Sequence, residues 1–408
     1  MIKYGLIGER LSHSYSKTIH HLLGNTEYEL MELAPLEVKA FFKSPCFMGI
    51  NVTIPYKQTV MPYCELSEFA RKIGGVNTIT NKNGTLFGHN TDYDGFSYMA
   101  ERAGIRFDNK KVVILGDGAT AKTARHVVCD RQAEEVVTIS RKGDHNYDTI
   151  HLHYDADILV NTTPVGMFPN NQNALLDIRP FHHLEGVLDV IYNPLKTKLI
   201  IQAEELGIPC SGGLPMLVAQ AVHAHDLFFS ENGGNKSNHL IESILKEVER
   251  RHRNIVLIGM PGCGKTTIGK KLATDLNMAH IDTDVLIQFK AGCSPSQIIT
   301  EDGEDFFRQI EEDVISDIYK QTGQVISTGG GSILRAENRI NLKQNGFILF
   351  LDRPIESLAT ESRPLSKDAD ALNALFETRH PIYSSFCDAN IPVEQNIEYN
   401  IEKILAIL

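Results

Sequence analysis

The sequence has no Cys-x-x-Cys pair, no His-Glu-x-x-His, no excess of basic side chains and no apolar run long enough to span a bilayer. Each absence removes a class of function. Without paired spacing, the seven cysteines suggest neither a disulfide framework nor a zinc knuckle, and read as reduced thiols. The sixteen histidines include His151-x-His153 and His223-x-His225, which read as surface or core imidazoles rather than a metal site. A formal net charge of -11 argues against nucleic acid or anionic membrane as partners, since both need a basic face. Anionic small substrates must then be held by local arginines, lysines and backbone amides. The opening MIKYGLIGER reads as a strand entering a turn rather than a charged-then-apolar leader, which predicts a cytoplasmic protein.

What is present predicts an α/β chain. A length of 408 residues and an apolar fraction of 42% fit two or three well-buried domains. Short apolar runs at 3–7, 49–53, 111–115, 136–139, 158–161 and 186–190 read as parallel strands separated by helical patterns. Glycine, asparagine and serine take over at 230–238, SENGGNKSN, which reads as a linker. The following segment, 240–253, puts Leu240, Ile241, Ile244, Leu245 and Val248 on one helical face, with Glu242–Lys246 and Glu247–Arg251 pairs outside. It closes the first unit or begins the second.

Two stretches carry recognisable chemistry. The run Ile255–Ile258 reads as a buried strand, and Gly259 followed by Gly264-Lys265-Thr266 completes the spacing of a phosphate-binding loop opening a helix. Backbone N–H groups there, including those of Gly262 and Cys263, curl around an oxyanion; Lys265 reaches the outer phosphates, Thr266 can hold Mg²⁺, and Thr267 follows on the same turn. The combination predicts ATP. Upstream, Gly116-x-Gly118-x-x-Ala121, with Ala119 at the helix start, follows the strand 111–115 as a dinucleotide fingerprint should. The next strand ends in Ser140-Arg141-Lys142 where an NAD enzyme would place an acid, so the two cations favour a 2′-phosphate and hence NADP(H); a solvated basic turn is the bland alternative.

The segment ahead of the fingerprint should be a separate domain facing the cofactor. Its serine-rich turn, Ser12 to Ser16, suits a small carboxylate or is simply a turn. Lys57 and Asp92, if they meet, can pass a proton to a carbonyl oxygen while hydride reaches its carbon. In the back half, Asp282-x-Asp284 points two carboxylates to one face. Arg308 and Glu311 sit three apart on a helix and can form a local pair, and Gly329, Gly330 and Gly331 offer bare backbone after the strand 324–327. Arg363 and Arg379 bracket a polar segment that reads as a lid.

Through HSYSKTIH, GINVTIPYK, GGVNT, GHNTDYDG, the fingerprint, NTTPVGM, DVIYNP and GGLPMLVAQA, residues 1 to 240 resemble shikimate dehydrogenase. The resemblance implies Ser14 and Ser16 at the substrate carboxylate, with Thr53, Asn77, Asp92 and Gln220 at its ring hydroxyls or carbonyl. It makes Lys57 the catalytic acid or base with Tyr192 close by. Asn161, Thr162 and Met167 would line the nicotinamide side, Gly213 and Met216 would help position it, and Arg141 would grip the 2′-phosphate. Two departures stand out: Lys17 where the family usually has proline, and GDGAT where a Gly-Gly-Ala run is usual, which sets Asp117 near the pyrophosphate.

From residue 253 onward, GMPGCGKTT, IDTD, FRQIEE, STGGGSI, SRPL and TRHPIY resemble shikimate kinase. This implies Lys265 on the phosphates, Thr266 and Asp282 on Mg²⁺, Asp284 on the acceptor hydroxyls, and Arg308, Arg379 and the three glycines around shikimate, with Arg363 closing from the lid. The stretch 355–363 is shorter than usual and lacks an arginine the family often stacks on adenine, so weaker or less selective ATP binding is expected. Cys263 is either a small loop residue or a thiolate whose oxidation blocks ATP.

The expected organisation is an N-terminal α/β substrate domain, 1–95, with a helix at 214–230 returning to it; a Rossmann NADP-binding domain, 96–213; a linker and connecting helix, 231–252; and a P-loop α/β kinase domain with a parallel sheet, 253–408. The expected function is consecutive steps on 3-dehydroshikimate and then shikimate, with Lys57, Asp92 and Asp284 catalytic, no nucleic-acid or membrane partner, and self-association left open. The alternatives are a non-catalytic metabolite sensor and a front half acting on quinate or with NAD.

Overall fold

The structure, a computed structural model, describes residues 3–11, 14–229, 238–358 and 369–408. The linker read at 230–238 falls almost wholly outside them, as do Ser12, His13 and Arg363. The chain divides at Glu249/Arg250 into two compact units.

The first unit carries two sheets. One has the order β2-β1-β3-β5-β6-β4, from β1 (Tyr4–Gly8), β2 (Tyr28–Glu32), β3 (Gly49–Val52), β4 (Glu65–Leu66), β5 (Thr78–Lys82) and β6 (Thr85–His89). It departs from the parallel expectation at β5, which runs antiparallel to both β3 and β6 and joins β6 in a hairpin turned at Asn83 and Gly84, with φ of 54° and 90°. That Asn-Gly pair is the turn whose twist suits adjacent strands. The other sheet is parallel, in the order β11-β10-β9-β7-β8, from β7 (Lys111–Leu115), β8 (Glu135–Ile139), β9 (Ile158–Asn161), β10 (Gly186–Asp189) and β11 (Cys210–Ser211). Its strands are apolar on both faces because both faces are covered: Val112 and Ile114 pack under the helix Ala119–Asp130, Val113 and Leu115 against Leu199 and Ile200. The chain leaves β7 for β8 on one side and returns to β9 on the other, so a crevice opens at the carboxyl ends of β7 and β9.

The helix Leu214–Phe229 packs along the helix Asp92–Arg102. Contact is this close because of Gly95, where a Cβ would lie 2.6 Å from the Met216 carbonyl oxygen. The helix Asn238–His252 buries Ile241, Ile244, Leu245 and Val248 against Tyr15, Ile19, Val218 and Val222, so its apolar face belongs to the first unit. Burying each such side chain contributes about 1.5–3 kcal/mol, well above what helix propensity supplies. The Glu242–Lys246 pair expected on its outer face is not the contact made: Glu242 accepts from Arg102 Nε at 2.8 Å and from the Tyr98 hydroxyl, tying the helix to its neighbour.

The second unit is a parallel sheet, β13-β14-β12-β15-β16, from β12 (Asn254–Ile258), β13 (Ala279–Asp282), β14 (Gln324–Ser327), β15 (Gly346–Asp352) and β16 (Ala389–Pro392). β12 lies in the middle, fully buried, and delivers the loop 259–264 at its carboxyl end into the helix Lys265–Leu276. Among the described residues no helix is long and apolar enough to cross a membrane.

Candidate active sites

In the first unit, β3 and β6 end on the same side of their sheet and bring together residues 35 positions apart. Lys57 Nζ donates to Asp92 Oδ2 at 2.6 Å, with the two side chains 12% and 9% exposed. Asp92 Oδ1 accepts from Asn77 Nδ2 at 2.9 Å, and that amide nitrogen also lies 3.5 Å from Gln220 Oε1 on the helix Leu214–Phe229. Asn77 is itself fixed, its Oδ1 accepting from the Thr91 N–H at 2.8 Å. Four residues named from sequence therefore form one chain of hydrogen bonds, and Thr91, not anticipated, anchors it. An ammonium, a carboxylate and two amides held this way can orient a small polyhydroxy ligand and move a proton at one oxygen.

Ser14 Oγ accepts from the Ser16 N–H at 3.3 Å and hydrogen-bonds Tyr192, whose phenol is pushed up by burial and eased back by Ser14. Tyr192 packs on Tyr15 with ring centroids 5.1 Å apart. Thr53 follows β3, half-buried, its methyl crowding Gly8. Lys17 is drawn away to the surface, pairing with Glu29 at 2.6 Å.

At the crevice of the parallel sheet, Gly116 has φ of 106°, and a Cβ there would lie 2.8 Å from Thr162 Oγ1. Only glycine suits both demands. Gly118 caps the helix Ala119–Asp130 without a side chain and with open space before it, which suits a pyrophosphate; Ala119 is half-buried and Ala121 buried at the first turn. Asp117, Arg141 and Lys142 are exposed, Ser140 is buried, and Tyr147 feels the charges of both Arg141 and Asp117. Thr162 donates to the Leu115 carbonyl at 2.6 Å, joining the ends of β7 and β9. Met167 is exposed, Met216 buried, and Gly213 passes so close to the Val190 carbonyl that no side chain fits.

Asn161 is fully buried and committed to structure, donating to Asp189 Oδ1 at 3.1 Å and accepting from Thr163 N and Oγ1. Asp189, unforeseen, also accepts from Thr197 Oγ1 at 2.7 Å and the Ile191 N–H at 3.0 Å; burial raises its carboxyl to about 6.

In the second unit, Lys265 Nζ folds into the loop, donating to the carbonyls of Gly259 and Met260 at 2.9 and 3.0 Å and lying 3.8 Å from Cys263 Sγ. Gly262 is half-buried, Gly264 caps the helix with φ of 102°, and Thr267 is exposed. The Cys263 side chain is fully buried in the core, which favours the small-loop-residue reading over an oxidisable thiolate. Thr266 Oγ1 donates to Asp282 Oδ2 at 2.6 Å. Such a hydroxyl–carboxylate pair fits Mg²⁺, a hard cation that takes few protein oxygens and completes its shell with phosphates and water. Among the described residues no group of three or more His, Cys, Asp or Glu could hold a metal alone.

Asp284 is raised to about 6 by burial first, then by Asp282 and Glu311. Its Oδ1 and Glu311 Oε1 both face Gly329, within 3.0 Å of where a Cβ would stand. Arg308 is buried, with Nη1 donating to Glu311 Oε2 at 2.7 Å as the local pair anticipated. Gly331 passes over its guanidinium so closely that a Cβ would collide with Nη2. Arg379 is buried and hydrogen-bonds Tyr383, whose hydroxyl in turn donates to the Gly330 carbonyl. Tyr383 and Ser332, which binds Glu311 at 2.5 Å, carry no signal in the sequence that sets them apart.

The chain is 34% identical over 272 residues to shikimate dehydrogenase (NADP(+)) of Clostridium perfringens, a match covering 61% of this chain and 98% of that protein. The chain belongs to the shikimate dehydrogenase family. Family models match the shikimate dehydrogenase substrate-binding domain at residues 6–79 and shikimate kinase at 261–408, so a dehydrogenase and a kinase are fused in one bifunctional shikimate-pathway enzyme. Its dehydrogenase part is similar to the crystal structure of shikimate dehydrogenase 1 from Peptoclostridium difficile, with a TM-score of 0.56 and 31% identity over 61% of this chain and 98% of that one. A shikimate 5-dehydrogenase from Thermus thermophilus, solved in complex with NADP(H) and shikimate, matches with a TM-score of 0.54 and 25% identity over 60% of this chain and 99% of that one.

Proposed function

We propose that the first unit reduces 3-dehydroshikimate to shikimate with NADPH and that the second phosphorylates shikimate at its 3-hydroxyl with MgATP. NADPH supplies the hydride and MgATP the phosphoryl group. Lys57 gives a proton to the ketone oxygen while Asp92, held by Asn77, keeps the ammonium aimed and accepts from the neighbouring ring hydroxyl. Ser14, Ser16 and Tyr192 hold the carboxylate, Thr53 and Gln220 the remaining ring groups, and Arg141 with Ser140 and Lys142 the 2′-phosphate. The Thermus relative crystallised with NADP(H) and shikimate supports this assignment.

In the second unit Lys265 leaves the loop carbonyls for the outer phosphates, and Thr266 and Asp282 hold Mg²⁺. Asp284 orients the acceptor hydroxyl, and Arg308 and Arg379 receive the substrate carboxylate, to which a planar guanidinium can present two donors. Acceleration here comes mainly from positioning and charge compensation. A cytoplasmic location suits the seven free cysteines.

The observation that carries the reading of the first unit is the 2.6 Å contact between Lys57 and Asp92, an ammonium and a carboxylate set on one hydrogen-bond chain with Asn77 and Gln220. Lys57→Ala and Asp282→Ala test it: each should abolish one activity and spare the other, and joint loss in either would contradict two independent sites. NADH and quinate offered to the same preparation check the cofactor and ring preference.

A further inference from the structure

All three guanidinium nitrogens of Arg308 are engaged by carboxylates. Nη1 takes Glu311, while Nε and Nη2 donate to Glu304 Oε1 at 3.2 and 2.8 Å. The two acceptors differ in kind. Glu311 is fully buried and its second oxygen accepts from Ser332, so displacing it would strand a buried carboxylate and a buried hydroxyl. Glu304 stands at the start of the helix Glu304–Ile318 with its side chain 43% exposed, and can return to water at little cost. The edge of Arg308 it covers includes Nη2, the atom that faces Gly331. Glu304 also lies close enough for its charge to act on Arg379.

We infer that Glu304 is a specificity-determining residue that occupies the carboxylate seat on Arg308 and is exchanged for the carboxylate of the incoming substrate. The inference rests on the proposed role of Arg308 and adds that binding replaces one carboxylate by another rather than adding to an open guanidinium. The exchange has two consequences. Arg308, only 8% exposed, keeps a compensating charge at every stage and stays oriented by Glu311. A ring alcohol without a carboxylate brings no charge to replace Glu304 at Nε and Nη2 and would leave the guanidinium with Glu311 alone, so the seat filters ligands by charge. The filter also weakens binding of the correct substrate by the strength of the contact it must break.

The test is a kinase assay on the full chain, titrating shikimate at saturating MgATP. Glu304→Gln, which removes the competing charge, should lower the shikimate KM by about three- to tenfold, the equivalent of one partly exposed charge-assisted pair, with the ATP KM as in the parent. Glu304→Asp, too short to reach, should move KM the same way. Asp305→Asn, removing an adjacent exposed charge, should leave both KM values in place. A shikimate KM that stays put or rises in both Glu304 variants, while Arg308→Lys raises it, would overturn the exchange alone. A KM unchanged in Arg308→Lys would overturn the reading of Arg308 itself.

Discussion

Replacing Asp92 by asparagine changes one atom and should disable the dehydrogenase. In the parent, Oδ2 accepts from Lys57 at 2.6 Å and Oδ1 from the Asn77 amide at 2.9 Å, so both sides of the carboxylate face donors. An asparagine must turn its own NH₂ toward one of them. Either orientation loses a hydrogen bond and sets donor against donor, and Lys57, 12% exposed, loses its counter-ion. Removing one partner of a fully buried pair costs about 3–5 kcal/mol, and the residual exposure here brings this to about 3. For a unit of this size that lowers the melting temperature by about 6–12 °C. Losing the group that aims the proton donor should lower kcat/KM for the keto acid by about 10²–10⁴-fold. The assay is NADPH oxidation followed by absorbance, with kinase activity of the same preparation as the internal standard. Dehydrogenase activity within about tenfold of the parent, or kinase activity lost in parallel, would refute the reasoning.

Gly331→Ala should push Arg308 off its position and raise the shikimate KM of the kinase on the order of tenfold, about 1.4 kcal/mol, without altering NADPH oxidation. Peroxide at concentrations that oxidise exposed thiols should leave kinase activity intact if burial protects Cys263; inactivation prevented by Cys263→Ser would reverse that conclusion. His20, stacked on Tyr28 with ring centroids 3.8 Å apart, is held neutral by burial, its pKa down at about 3. The unfolded chain takes up that proton near pH 6.5, so the stability of the first unit should be fully present above that value and fall as pH drops toward 3. His20→Phe, which keeps the stack, should flatten the difference between melts at about pH 7 and about pH 5; an unchanged difference would assign the acid sensitivity elsewhere.

The phosphate loops are legible in the sequence because their signal is local: glycine spacing, a preceding apolar strand and a following helix all lie within about 20 residues. The parallel strands at 111–115, 158–161 and 324–327 are legible for the same reason, each being a short apolar run with clear ends. The meeting of Lys57 and Asp92 is not, since it depends on the register of β3, β5 and β6, and that includes a hairpin whose Asn83-Gly84 signal sits between strands too polar to stand out. Arg308–Glu311 reads as an i,i+3 pair, but Glu304, one turn back on the same helix, competes for the same guanidinium at i,i+4 spacing, and spacing alone does not say that both are bound at once. Glu242 fails in the opposite direction: a plausible i,i+4 partner lies along the helix, and a neighbouring helix supplies Arg102 and Tyr98 instead. Asp189 carries no signal beyond its motif, because its donors come from separate segments of the chain.

The central claim, two consecutive reactions on one polypeptide, is tested most directly by incubating the purified chain with 3-dehydroshikimate, NADPH and MgATP and analysing the products by mass. The account predicts shikimate 3-phosphate that disappears when any one component is withheld, with free shikimate accumulating when only ATP is omitted. Consumption of neither NADPH nor ATP would contradict it.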